Sequence, residues 1–195
     1  MIAIIDYGAG NLQSVANALK KLGEPFEVVR KPAELSKAQK VIFPGQGAAG
    51  SAMQVLLESG FIEAIPKLTM PFLGICLGMQ LLANFSEEDN TQCLGIIPGR
   101  VKKMKISLKV PHVGWNKVAI NQRSPLVEGL NNNSYFYFVH SYYFDAPQEN
   151  IFGQTLYEID FPSIVQKENF YGVQFHPEKS GEAGFQLLRN FCKKC

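Results

Sequence analysis

The chain has 195 residues, of which 46% are hydrophobic and 18% are charged, and its formal net charge is +2. This composition excludes a disordered segment and a disulfide-stapled miniprotein, and the balanced charge argues against a surface that binds nucleic acid. A chain of this length can bury a hydrophobic core of its own. We therefore expect one globular domain over residues 1–195.

The first half of the sequence combines apolar runs with stretches of helical periodicity. The apolar runs predict strands at Ile2 to Ile5, Phe26 to Val29, Val41 to Phe43 and Pro71 to Ile75. Apolar residues at helical spacing predict helices between Asn11 and Gly23, near 51–58 and near 77–85. Strands that alternate with helices indicate a mostly parallel, doubly wound sheet with helices on both faces.

From Gly95 onward the sequence becomes rich in predicted strands. Segments of alternating polarity predict strands at Val118–Ile120, Tyr135–Tyr143, Gly153–Ile159, Ser163–Gln166 and Tyr171–Phe175. A last helix is predicted from Gly181 to Lys193, with Ser180 as its N-cap. The expected fold class is α/β, in which an antiparallel, β-rich extension in the C-terminal half continues the parallel sheet.

The apolar runs are broken by Gly, Pro or charged residues well before the ~18 residues that a membrane-spanning helix requires. The first residues, MIAIIDYG, lack the basic segment and apolar stretch of a secretory leader, and four cysteines in such a chain are typical of free thiols. Cys192 and Cys195 form a CxxC pair without a second pair of ligands, so we expect no metal site and no cofactor. These features predict a cytoplasmic protein with no membrane or nucleic-acid partner.

The first turn of the chain carries Gly8 and Gly10 between a predicted strand and a predicted helix, as dinucleotide-binding proteins do. The third glycine of that fingerprint is replaced by Gln13. The second strand ends in Arg30, where an acidic residue would bind a ribose hydroxyl. We interpret Gly8 and Gly10 as a tight turn.

The motif Gly74-Ile75-Cys76-Leu77-Gly78 lies at a predicted junction between strand and helix. A nucleophile between two glycines at such a junction forms a nucleophile elbow, here with sulfur in place of the serine oxygen. Helix N-termini favour thiolates. Cys76 is therefore the candidate nucleophile, and a buried structural cysteine is the alternative.

A cysteine nucleophile needs a base, and the chain has three histidines. His176 follows the predicted strand Tyr171–Phe175, and an extended backbone directs His176 and Glu178 to the same side. The carboxylate can then orient the imidazole, as in other catalytic triads. We predict that His176 is the base and Glu178 its orienting acid, and that His112 and His140 make structural hydrogen bonds.

An acyl-transfer site also needs N–H donors for the developing oxyanion. The N–H of Leu77, directly after the nucleophile, is one candidate. The loop Gly45-Gln46-Gly47 after the third strand is another, because glycine lets a peptide group rotate at little steric cost. An ordinary strand-to-helix turn is the alternative interpretation of this loop.

Several longer segments carry a family pattern, namely FPGQG (43–47), GICLGMQ (74–80), PHVGWN (111–116), YFYFVHSYY (135–143) and YGVQFHPEKS (171–180). They resemble the triad-type glutamine amidotransferases, in particular the glutaminase subunits of imidazole glycerol phosphate synthase, and the resemblance runs from IIDYGAGN to the final helix. It implies hydrolysis of glutamine to glutamate and ammonia through a thioester on Cys76. It also implies a (β/α)8-barrel partner that uses the ammonia to make imidazole glycerol phosphate and aminoimidazole carboxamide ribotide in histidine biosynthesis.

The resemblance also implies roles for individual residues. Four fall where the family binds glutamine: Gly47, Gln80, Glu88 and Ser141. Three fall where it meets the barrel subunit: Asn11, Trp115 and Tyr137. Without the resemblance, Glu88 is equally compatible with a solvated acidic run, and a core position is favoured for the single tryptophan.

One position departs from the family pattern, since Gln46 stands where the family usually has valine. The resemblance implies that this position lies in a loop that rearranges when the barrel subunit binds its substrate. We hypothesise that Gln46 alters the resting position of the loop and raises glutaminase activity without the partner.

Three alternative functions remain open from the sequence. A paralogous glutaminase subunit would supply ammonia for the amidation of surface sugars. A cysteine hydrolase or peptidase would use the same elbow without a partner. A doubly wound binding module would lack catalysis altogether.

Overall fold

The computed structural model describes residues 1–8 and 11–195, so Gly10 of the predicted first turn lies outside the described residues. The first half of the chain forms β1 (Ile2–Ile5), α1 (Leu12–Leu22), β2 (Phe26–Val29), β3 (Lys40–Gly45), α2 (Ala49–Ser59), α3 (Phe61–Ala64), β4 (Phe72–Cys76) and α4 (Leu77–Gln80). The second half forms β5 (Phe85–Ser86), β6 (Thr91–Gln92), β7 (Arg100–Lys103), β8 (His112–Ile120), β9 (Ser134–His140), β10 (Tyr142–Asp145), β11 (Ile151–Tyr157), β12 (Ile159–Lys167), β13 (Phe170–Val173) and α5 (Gly181–Lys194).

A large sheet contains nine strands in the order β2-β1-β3-β4-β13-β12-β11-β8-β9. Neighbouring strands from β2 to β13 are parallel. From β13 to β9 each strand is antiparallel to the next. The predicted α/β fold with an antiparallel extension is confirmed.

The strand β13 forms the boundary between the two halves of the sheet. The prediction that Tyr171–Phe175 belongs to the antiparallel extension is wrong in part, because β13 is parallel to β4 and antiparallel only to β12. All four residues of β13 are buried, as expected for a strand inside a sheet that is covered on both faces. Polarity patterns alone do not reveal the direction of the neighbouring strand.

A smaller sheet has the order β10-β7-β5-β6 and is not part of the predicted extension. The predicted strand Tyr135–Tyr143 is therefore two strands, with β9 in the large sheet, β10 in the small one and Ser141 between them. The Met104 N–H donates to the Ser141 carbonyl at 2.9 Å, next to the ladder between β7 and β10. Ser141 consequently lies at a corner of the backbone.

The helix predicted near 77–85 is too long, since α4 ends at Gln80. The carbonyl groups of Leu81 and Leu82 accept hydrogen bonds from N–H groups of the segment 94–97, at 2.9 to 3.0 Å. A longer helix would need these carbonyls for its own hydrogen bonds. The apolar spacing continues beyond Gln80 because the turn that follows α4 is buried. Buried apolar residues that are not helical therefore caused the helix to be predicted too long.

Helices cover both faces of the large sheet. On one face, α2 packs with Phe43 and Phe72, and on the other, α1 and α5 pack with Ile4 and Phe175. None of the described helices combines the length and the apolar character that a membrane crossing requires.

Three glycines allow α4 to lie directly on the sheet. A methyl group on Gly78 would overlap the Phe43 carbonyl oxygen, and one on Gly74 would overlap the Gly78 carbonyl oxygen. A methyl group on Gly45 would overlap the Gly78 nitrogen. These close contacts fix the turn that carries Cys76 against β3 and β4.

We expect the Gly78→Ala variant to lose about 3 kcal/mol of unfolding free energy, because its methyl group meets a backbone atom that cannot move away. Urea denaturation measures this loss. The matched control is Gly50→Ala in α2, whose methyl group would first meet side-chain atoms of Asp89 at 3.2 Å. Equal stability of the two variants would contradict the close packing of α4.

Candidate active site

Cys76 occupies the sharp turn between β4 and α4, with φ of 55° and ψ of −109°. A residue other than glycine with positive φ is strained, and such strain is concentrated at functional sites. Cys76 is 8% exposed and borders a cleft of about 310 Å³. Because α4 is a single turn, the dipole of the longer predicted helix does not contribute here.

His176 and Glu178 follow β13 and lie at the same edge of the sheet as Cys76, because β13 and β4 are parallel neighbours. His176 Nδ1 and Glu178 Oε1 are 2.9 Å apart, and both side chains are almost completely buried. Asn11 Nδ2 donates a second hydrogen bond to Glu178 Oε1 at 3.0 Å. Within residues 1–8 and 11–195, Glu178 Oε2 has no hydrogen-bond partner. With Nδ1 on Glu178, Nε2 is the nitrogen that remains for Cys76.

The backbone of His176 is fixed by Tyr137 and Ser180. The His176 N–H donates to the Tyr137 carbonyl at 2.9 Å, and the Tyr137 N–H donates to Ser180 Oγ at 3.0 Å. Ser180 Oγ in turn donates to the His176 carbonyl at 2.6 Å. Ser180 is the N-cap residue of α5, as predicted, but its side chain makes no capping hydrogen bond, because the hydroxyl is engaged by the Tyr137 N–H and the His176 carbonyl.

Two opposing effects set the pKa of His176. Burial lowers this pKa, whereas the contacts with Cys76 and Glu178 raise it, and the result is about 10. The imidazole therefore carries a proton at neutral pH. A protonated histidine beside a sulfur is typical of reactive cysteines, and it can donate a proton to a leaving amine.

The loop after β3 is held by Tyr7. The Gln46 N–H donates to Tyr7 Oη at 2.9 Å, and the Tyr7 hydroxyl donates to the Gln46 carbonyl at 2.8 Å. Burial raises the pKa of Tyr7 to about 12, so the hydroxyl keeps the proton that the second bond requires. The Gln46 N–H, one of the groups predicted to bind the oxyanion, is thus already hydrogen-bonded to Tyr7.

The other predicted oxyanion residues have different positions. Gly45 is paired with Cys76 in the sheet and is not among the residues that line the cleft. Leu77, which follows Cys76 in the sequence, lines the cleft. Gln46 lines it as well.

The cleft brings together all four residues predicted to bind glutamine. Its walls are formed by Gln46, Gly47, Cys76, Leu77, Gln80, Glu88, Pro111, Val139, His140, Ser141, Tyr142 and His176. Glu88 Oε2 accepts a hydrogen bond from the Ala49 N–H at 2.8 Å. Burial raises the pKa of Glu88 despite this bond, so a cationic ligand group would stabilise the carboxylate.

Two side-chain amide groups, those of Gln80 and Gln174, connect the Tyr142 carbonyl to Cys76. Gln80 Nε2 donates to the Tyr142 carbonyl and to Gln174 Oε1, at 2.9 Å each, and Gln174 Nε2 lies 3.7 Å from Cys76 Sγ. Sequence reasoning missed Gln174 and Tyr7. Gln174 precedes His176 by two residues and lies within the predicted strand Tyr171–Phe175, so the twofold repeat of a strand could have placed both on one side. Tyr7 carries no comparable signal.

His112 and His140 make hydrogen bonds within the fold, as predicted. Burial lowers the pKa of His112 to about 4 and that of His140 to about 3, so both rings are neutral at pH 7. His140 Nδ1 lies 2.8 Å from the Tyr142 carbonyl, and its Nε2 lies 3.1 Å from His112 Nδ1. A carbonyl only accepts, so Nδ1 of His140 carries the proton and Nε2 accepts from His112.

Strands β8 and β9 expose a row of apolar side chains, which we term the β8–β9 patch: Val113, Trp115, Tyr135, Tyr137 and Val139. Trp115 is 54% exposed and forms an edge contact with Tyr137, with ring centroids 6.1 Å apart. This exposure excludes the core position that composition alone favoured. Asn11, the third residue predicted to meet a partner, donates to Glu178 instead of lying in the patch.

A larger cavity of about 730 Å³ lies between residues 120 and 132, away from Cys76. No cysteine or histidine lines it. In the described part of the chain, no group of three or more His, Cys, Asp or Glu side chains is arranged to hold a metal ion. Cys76 and His176, the predicted nucleophile and base, line the smaller cleft, which is therefore the candidate active site.

Comparisons with known proteins identify the family of the chain. The family model for glutamine amidotransferase class-I matches residues 3–195. The chain is 48% identical over 193 residues to imidazole glycerol phosphate synthase subunit HisH 2 of Legionella pneumophila (strain Lens), covering 98% of this chain and 96% of that protein.

A second relative is imidazole glycerol phosphate synthase subunit HisH of Bacillus cereus (strain B4264), at 47% identity over 195 residues, with 98% of this chain and 93% of that protein covered. A solved glutamine amidotransferase structure has a TM-score of 0.78 at 22% identity, over 98% of this chain and 97% of that chain, and supports the fold alone. The extent and identity of these matches show that the chain belongs to the class-I glutamine amidotransferases, in the family of HisH subunits of imidazole glycerol phosphate synthase.

Proposed function

We propose that the chain hydrolyses L-glutamine to glutamate and ammonia, and that the ammonia passes to a (β/α)8-barrel subunit that makes imidazole glycerol phosphate and aminoimidazole carboxamide ribotide in histidine biosynthesis. The observation that carries the glutaminase proposal is the strained turn at Cys76 beside the buried His176–Glu178 pair. The names of the HisH relatives support the pathway.

The first half of the reaction forms a thioester. The Cys76 sulfur, with its proton on His176, attacks the carboxamide carbon of glutamine. The C–S bond forms, and the carbonyl electron pair moves to the oxygen, where the Leu77 N–H can stabilise the charge. The C–N bond then breaks as His176 gives its proton to the nitrogen, and ammonia leaves.

The second half regenerates the enzyme. Water attacks the thioester carbon while His176 accepts a proton from it. The C–S bond breaks, glutamate leaves, and the proton is again shared between Cys76 and His176. Glu178 orients the ring throughout, through its bond to Nδ1.

The amino-acid end of the substrate would bind at the wall of the cleft that Glu88 forms. We assign the α-ammonium group to Glu88, because burial raises the pKa of this carboxyl and a cation would offset the cost of its charge. Gly47, Gln80 and Ser141 supply polar groups on the other walls.

The β8–β9 patch is the surface on which we place the synthase subunit. Val139 belongs to the patch and lines the cleft, and its carbonyl oxygen lies 3.7 Å from Cys76 Sγ. A partner on this patch would therefore adjoin the site where ammonia forms. Exposed aromatic residues such as Trp115 are common anchors of protein interfaces.

Glutamate release, measured with and without the purified barrel subunit and its ribulosyl ligand, tests the proposal. We expect slow release by the chain alone and strong stimulation in the loaded complex. Turnover that no barrel subunit changes would favour a partner-independent cysteine hydrolase. Failure to rescue a histidine auxotroph, with glutaminase activity intact, would favour the amidation of surface sugars.

We expect Trp115→Ala to weaken binding of the barrel subunit by 30-fold or more, about 2 kcal/mol, because a large aromatic anchor is lost from the patch. Isothermal titration calorimetry measures the dissociation constant. Leu57→Ala is the matched control, since Leu57 is equally exposed on α2. A similar effect of the two substitutions would remove the β8–β9 patch from the interface.

We further propose that residues 1–195 act as one glutamine amidotransferase domain and that the protein works in the cytoplasm. The shared nine-stranded sheet and the family match over residues 3–195 support a single domain. The need for a free thiol at Cys76 supports a reducing compartment.

A further inference from the structure

Gln174 is a fully buried polar residue that the mechanism above does not use. Its exposure is 0%, and it lies directly after β13, two residues before His176. Gln174 Nε2 is 3.7 Å from Cys76 Sγ, within the range of a hydrogen bond to sulfur, and Gln174 Oε1 is 2.9 Å from Gln80 Nε2. The amide therefore bridges the nucleophile and a wall of the cleft.

The neighbours of Gln174 determine which end of its amide faces the sulfur. The Tyr142 carbonyl can only accept, so the Gln80 group that approaches it must be the NH2 group. The same NH2 group faces Gln174, which must therefore present its oxygen to Gln80. The only remaining orientation directs the Gln174 NH2 group to Cys76.

The buried histidines give this arrangement a fixed starting point. His140 Nδ1 also donates to the Tyr142 carbonyl, at 2.8 Å, and His112 holds the other nitrogen of that ring. The carbonyl is thus fixed by donors from two sides. Because the Tyr142 carbonyl can only accept, Gln80 donates both to it and to Gln174.

We propose that Gln174 is a further catalytic residue of the glutaminase, whose Nε2–H donates to the Cys76 sulfur and stabilises the negative charge on it when it attacks glutamine. The inference rests on the proposed function. The Gln174 donor complements His176. His176 holds the proton of Cys76, and it becomes neutral when it gives that proton to the leaving ammonia. Gln174 keeps its hydrogen throughout both halves of the reaction, so the sulfur retains one donor when the thioester is hydrolysed.

Two substitutions of Gln174 separate donation from shape. Gln174→Met fills a similar volume without a donor, and Gln174→Glu replaces the NH2 group by an oxygen that repels a thiolate. A hydrogen bond to a charged group is lost in both, so we expect kcat for glutamine to fall about 10- to 100-fold in Gln174→Met, and further in Gln174→Glu, with little change in KM.

Alkylation of Cys76 by iodoacetamide, mapped by peptide mass spectrometry over a range of pH, gives a readout that does not need glutamine turnover. We expect the pH midpoint of alkylation to move upward in both variants. Gln166→Met is the matched control, because Gln166 accepts from Ser124 Oγ at 2.6 Å outside the cleft. We expect its kcat and its alkylation midpoint to match those of the unmodified chain.

An unchanged alkylation midpoint in Gln174→Met would overturn the proposal, whatever happens to kcat. A rise in KM alone would also overturn it, because it would assign Gln174 to substrate binding. The alkylation measurement stays informative if the chain fails to hydrolyse glutamine, so the failure of the proposed function is distinguishable. A thermal melt of each variant identifies any unfolded protein, and Gln174→Glu, which keeps the acceptor for Gln80, then decides the outcome.

Discussion

Replacing Cys76 with serine is expected to lower kcat for glutamine hydrolysis by at least ~10⁴-fold, because an alcohol beside a histidine is a far weaker nucleophile than a thiolate in a site built for sulfur. The serine oxygen is smaller, so the fold and the cleft should be preserved. The measurement is glutamate release in the presence of the loaded barrel subunit, where the rate of the unmodified chain is highest.

Cys192→Ser provides the matched control for this experiment. Cys192 lies in α5, and burial raises the pKa of its thiol to about 12, so it is not a reactive group. We expect full activity in this variant. Residual turnover in Cys76→Ser close to that of Cys192→Ser would show that another residue attacks the substrate, and the triad would have to be abandoned.

Glu178→Gln is expected to lower kcat by about 10³- to 10⁴-fold, the scale seen when a triad carboxylate is replaced by its amide. The amide oxygen can still accept hydrogen bonds from His176 and Asn11, so we expect the positions of these side chains to be preserved. The variant loses the negative charge that stabilises the protonated His176 ring, in a pair whose two side chains are both buried.

The same substitution has a predictable effect on pH dependence. The Glu178 carboxylate helps to raise the pKa of His176 to about 10, so removing its charge lowers this pKa. The protonated ring, which donates to ammonia, is then lost at a lower pH, and the alkaline limb of kcat/KM should move in the same direction. Glu128→Gln is the control, since Glu128 forms an exposed ion pair with Lys194. An alkaline limb that stays in place would show that Glu178 does not tune the histidine.

The alternation of strands and helices was predictable in the first half of the chain, because short apolar runs there alternate with stretches of helical periodicity. The small sheet was not predictable, since β5 and β6 contain two residues each and show no period. The helix after Cys76 was predicted too long because the apolar pattern there extends beyond the helix. Leu81 and Leu82 continue an apolar pattern, yet their carbonyls bond to the segment 94–97.

The candidate site was predictable where one short motif contains the signal. Cys76, His176 and Glu178 stand in such motifs, and the structure brings their turns to one edge of the sheet. The engagement of Gln46 by Tyr7 was not predictable, because it joins the ends of two different strands through a side chain without a pattern. Trp115 shows a similar limit, since only the register of β8 on β9 reveals which face it occupies.

The position of β13 has a consequence for how the site is assembled during synthesis. This strand is the last in the sequence, yet it is inserted between β4 and β12, both of which are made before it. The histidine that follows it reaches the thiol only when this insertion is complete. Without β13 in place, β4 and β12 have no shared neighbour and His176 is not held beside Cys76, so the predicted nucleophile and base meet only in a chain whose last strand has been inserted.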